Sequence, residues 1–63
     1  MKINYLKESI IVTIRMMADI VKGTEYSEIH YSYNKLIECS LDNLEGIRDR
    51  FIIEYNQFIN QKR

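Results

Sequence analysis

The sequence predicts an all-α protein, either a helical hairpin with a long second helix or a three-helix bundle, paired into an antiparallel homodimeric bundle. Three observations lead there. Apolar residues recur at 3–4 spacing in both halves, and no alternating, strand-like stretch is present. The chain has no proline, and its two glycines, Gly23 and Gly46, leave long uninterrupted segments. At 63 residues with 46% hydrophobic content, it has more apolar surface than so short a chain buries alone.

The first helix is expected over residues 3–22. Ile3, Leu6, Ile10, Ile14, Met17 and Val21 line one face. Gly23 is placed to end it in a left-handed conformation, and Lys22 suits the negative end of the helix dipole. Thr24, or alternatively Ser27, can cap the next helix. At 100° per residue, Asn4, Glu8, Arg15, Asp19 and Lys22 fall in one narrow strip. Tyr5, Ile11, Val12, Met16, Ala18 and Ile20 fill most of the remaining circumference. A helix apolar nearly all round is a buried one.

Residues 25–60 are also expected to be helical. Tyr26, Ile29, Tyr33, Leu36 and Ile37 share one face, as do Leu44, Ile47, Phe51, Tyr55 and Phe58, with Leu41, Ile52 and Ile59 beside them. The two stripes are nearly in phase, which favours one long helix of roughly 50 Å. Ser40 is a possible N-cap with Cys39 and Leu44 as a staple pair, so a break near 40–42 would instead give three helices. The whole chain, 1–63, is read as a single domain.

In a hairpin, the face around Phe51, Ile52, Tyr55, Phe58 and Ile59 stands bare. In a three-helix monomer, the far side of the first helix (Tyr5, Val12, Met16) stands bare instead. Either patch exceeds what monomers usually expose. A second copy is therefore the expected partner, with Leu44, Ile47, Phe51, Ile52, Tyr55, Phe58, Ile59, Val12 and Met16 at the dimer interface.

Formal net charge is zero but unevenly spread. Residues 1–24 carry four basic and two acidic groups, residues 25–45 one and five, and residues 46–63 four and two. These give +2, −4 and +2, so the first and middle thirds can pack with complementary charge. A neutral total argues against nucleic acid as a partner, which would need a basic field. Arg15 and Asp19 interrupt the only N-terminal apolar stretch, which argues against a membrane span or a leader.

No residue pattern carries chemistry, and neither a cofactor nor a metal is expected. His30 is the single histidine and has no second ligand at helical spacing. Cys39 is the single cysteine and has Glu38 and Asp42 as neighbours, which oppose a thiolate. A lone cysteine suits a reducing cytoplasm. Tyr31 is expected to point away from the Tyr26–Tyr33 stripe and Ile53 to sit on a polar side. These two, with the acidic Glu28, Asp42 and Glu45, are the expected contacts for an outside protein. Arg48 sits inside the apolar arc, where it can snorkel or reach an acidic residue across a dimer.

Arg15, Met17, Gly23 and Ser32 resemble positions of the small helical phosphatases of sporulation response regulators, a family of similar size that forms a helical hairpin. That family's S-x-x-L-D segment would begin at Ser32, where this chain reads Ser-Tyr-Asn-Lys-Leu. Without the aspartate, the resemblance carries no activity onto any residue here. The expected function is a non-enzymatic interaction module, a regulator or inhibitor of a larger protein. The alternative is a small DNA-binding regulator, for which only Arg48, Arg50, Lys62 and Arg63 are available. Eleven isoleucines against four leucines suggest AT-rich coding, as in a low-GC bacterium or its phage.

Overall fold

A computed structural model describes residues 2–62, and among these every regular element is helical. The helices are α1 (Lys2–Lys22), α2 (Thr24–His30), α3 (Tyr33–Ile37) and α4 (Leu41–Lys62). Arg63 and the side chains of Ile3, Asn4 and Lys62, named above, lie outside what is described.

Gly23 ends α1 with φ +100°, and its amide donates to the Asp19 carbonyl at 3.1 Å. That backbone is open to glycine and strained for other residues. The expected caps, Thr24 and Ser27, do not act as such: α2 starts directly after Gly23 with no side-chain cap bond. Ser27 is buried inside it instead.

The single helix favoured over 25–60 is divided twice. The break before α4 lies where Ser40 allowed one. Its hydroxyl accepts the Asn43 amide at 3.2 Å, and its carbonyl accepts the Leu44 amide at 3.0 Å. The second break, at Tyr31 and Ser32, has no Gly or Pro to announce it. There Ser32 is extended (φ −67°, ψ 156°), and Tyr31 turns in upon Phe51. Two lysine amines take carbonyls freed at these helix ends: Lys35 Nζ donates to Ile29 O at 2.7 Å, and Lys7 Nζ to Ile37 O at 2.8 Å. Such end carbonyls otherwise lack partners, and a cation there also suits the dipole.

The chain thus runs up along α1, back through α2 and α3, and up again along α4. Lys7 at the Ile37 carbonyl marks one end, and Lys22 at Glu54, 3.5 Å away, marks the other. The α1 and α4 helices lie side by side in the same direction, with α1 touching all three others. The core is Ile11, Ile14, Met17, Ala18, Leu36, Leu44 and Phe51, with Cys39, Ile47 and Tyr55 packed against it. Burying each large member contributes about 1.5–3 kcal/mol. The core line of α1 is turned toward Ile11 and Ala18 relative to the expected stripe. Leu6, expected inside, is consequently exposed.

Candidate interaction surface

The polar strip of α1 is a seam. Arg15 pairs with Glu28 of α2 at 3.6 Å, Glu8 accepts the Tyr33 hydroxyl of α3 at 3.1 Å, and Lys22 reaches Glu54 of α4. The first and middle thirds thus meet through one surface pair of opposite charge, Arg15 with Glu28. With its charged strip turned to its neighbours, α1 presents its second apolar side to solvent.

That side carries Leu6, Ser9, Thr13, Met16 and Ile20 at 3-4-3-4 spacing, flanked by Tyr5 and Val12, all exposed. Tyr5 is 76% exposed and Met16 60%. The ionisable side chains described on α1 (Lys7, Glu8, Arg15, Asp19, Lys22) fall outside this arc. Its two hydroxyl residues are small, and Thr13 Oγ1 donates to its own helix at Ser9 O, 3.1 Å away. A shallow depression of about 350 Å³ is lined by Tyr5, Glu8, Ser9, Val12 and Thr13, with Glu8 at the edge of the face.

The residues expected at a dimer interface divide into three groups. Val12, Met16, Ile52 and Ile59 are exposed. Ile47, Tyr55 and Phe58 are half-buried along α4. Leu44 and Phe51 are not surface residues: α1 runs alongside α4 as far as Glu54 and buries both within the chain. The bare surface is the one anticipated for a three-helix monomer.

The expected partner contacts divide similarly. Asp42 and Ile53 stand exposed on α4. Glu28 is exposed too, 3.6 Å from Arg15, and Glu45 is half-buried. Tyr31, expected to be exposed, is half-buried, with its ring 5.1 Å from Phe51 and 6.2 Å from Tyr26. The break at 31–32 rotates it inward. Arg48 bonds the adjacent Asp49 through Nε and Nη2, at 3.4 and 3.2 Å.

The chemistry-bearing side chains stay apart. His30 is exposed and stacks on Tyr26 with centroids 4.3 Å apart, while Lys22 Nζ lies 5.8 Å from the centroid of the same tyrosine. Cys39 is a free, half-buried thiol whose Sγ lies 3.5 Å from the Lys35 carbonyl. Among the described residues, no group of three or more His, Cys, Asp and Glu could hold a metal ion, and no helix is long and apolar enough to cross a membrane.

Sequence reasoning left Tyr5, Leu6, Ser9, Thr13 and Ile20 off the interface. The signal was present in the near-complete apolar girth of α1, but its direction depended on which side α4 occupies. Comparison with known proteins yields no match to any family model, curated protein or solved structure.

Proposed function

We propose that this chain is a non-enzymatic protein–protein interaction module that regulates or inhibits a larger protein in the cytoplasm. One observation carries the reading: α1 meets its neighbouring helices through Glu8, Arg15 and Lys22 and leaves an apolar face, edged by Glu8, in water. Tyr5, Leu6, Val12, Met16 and Ile20 together make a contiguous patch of the kind that marks interaction sites rather than monomer surfaces. Ile53, 59% exposed on α4, offers a second apolar contact. Large apolar side chains ringed by polar groups are where binding energy concentrates.

The test is quantitative affinity capture from cells with tagged wild-type chain, Met16→Glu and Ile53→Glu. Both sites are exposed, so both variants keep the fold. The reading expects a larger protein held by wild type and lost from at least one variant. Captured material that is the same for all three baits would count against it. A salt-dependent gel shift at low ionic strength would support the DNA-binding alternative instead.

A further inference from the structure

We propose that the outer face of α1 is the contact between two copies of this chain, the two α1 helices lying antiparallel with Thr13 at the two-fold axis. This rests on the interaction-module reading and names the first occupant of its main face.

The apolar exposure is concentrated enough to pair. Five large apolar side chains on one helix, Tyr5, Leu6, Val12, Met16 and Ile20, are each about half exposed or more.

The charge fits. A two-fold contact brings a patch against itself, so any charge inside the patch meets its own kind. The arc from Tyr5 to Ile20 has none. Glu8 is drawn aside to Tyr33, and Lys7 to the Ile37 carbonyl. Burial strands no hydroxyl at Thr13, whose Oγ1 bonds within α1.

The shapes fit in one direction only. Antiparallel pairing about Thr13 sets Leu6 against Ile20 of the second copy, and small Ser9 against long Met16. It also brings Tyr5 near the level of Asp19 of the second copy, a rim contact between hydroxyl and carboxylate. Parallel pairing would crowd Met16 on Met16 and leave a gap between the serines. It would also align the dipoles of all the long helices, which antiparallel pairing opposes.

The experiment combines sedimentation equilibrium of the full chain with cysteine cross-linking. Wild type should weigh about twice 7.6 kDa at micromolar concentration. Met16→Glu should be a helical monomer by circular dichroism, and the milder Met16→Ser should associate more weakly. In a Cys39→Ser background, Thr13→Cys should form a disulfide dimer on oxidation. Leu6→Cys should not, because the two Leu6 positions would lie about 21 Å apart along the axis. A monomeric wild type, a Met16→Glu chain that remains a dimer, or cross-linking at both cysteines overturns the proposal. A monomer that still captures a larger protein through α1 ends the pairing but leaves the interaction reading. A dimer that captures nothing does the reverse.

Discussion

Tyr31 stands edge-on to Phe51, with ring centroids 5.1 Å apart and planes at 78°. This contact joins the turn between α2 and α3 to the middle of α4. Phe51 is 3% exposed, so Phe51→Ala should cost about 3–5 kcal/mol. That is comparable to the whole stability of a chain this small, so the variant should be largely unfolded. Substituting the pair as Tyr31→Leu and Phe51→Leu, singly and together, gives a milder cycle read by urea unfolding. It should show a coupling of about 0.5–1.5 kcal/mol.

Ser27 is fully buried in α2, and its Oγ has no hydrogen-bond partner. An unsatisfied buried hydroxyl costs about 1–3 kcal/mol, so Ser27→Ala should raise the urea midpoint. Ser27→Leu should lower it, because extra methylenes in a packed site cost about 1–3 kcal/mol.

The two glycines should respond to alanine with opposite signs. Gly23 has φ +100°, so Gly23→Ala should destabilise by about 1–2 kcal/mol although nothing lies within 4 Å of the new methyl. Gly46 sits inside α4, also with open space around it, so Gly46→Ala should stabilise by about 0.5–1 kcal/mol. Thermal unfolding of the two variants checks both signs.

The Tyr33 hydroxyl donates to Glu8, and this raises the phenol pKa above 10.0, with desolvation and the Glu8 charge adding to the hydrogen bond. Folding therefore favours the protonated phenol. The contribution is fully present below pH 10.0 and is lost as pH rises through the higher folded value. Ultraviolet titration of Glu8→Gln should show Tyr33 ionising at lower pH than in wild type. An unchanged curve would mean that the bond does not form.

Much of this architecture is legible in the residues, and the rest is lost for physical reasons. Helical spacing gives the all-α class, Gly23 gives the end of α1, and Ser40 marks the start of α4. The break at Tyr31 and Ser32 leaves no local signal, because the stripes on either side share a phase and no Gly or Pro intervenes. It arises from tertiary packing, with Tyr31 drawn onto Phe51 and Lys35 taking the Ile29 carbonyl. The surface is legible only as a pair of alternatives. Which apolar side is bare depends on α1 and α4 lying parallel, and that relation comes from the break at Ser40, one of two readings the residues allow, rather than from either helix's own pattern.

On this view α1 has two working faces, one closing the core and one closing on a second copy. The most direct measurement is the thermal midpoint across a hundredfold range of protein concentration, for wild type and for Met16→Glu. If the outer face pairs, the wild-type midpoint rises with concentration because association stabilises the folded state, while the variant's does not move. A wild-type midpoint that does not change with concentration would contradict the pairing of α1 with a second copy.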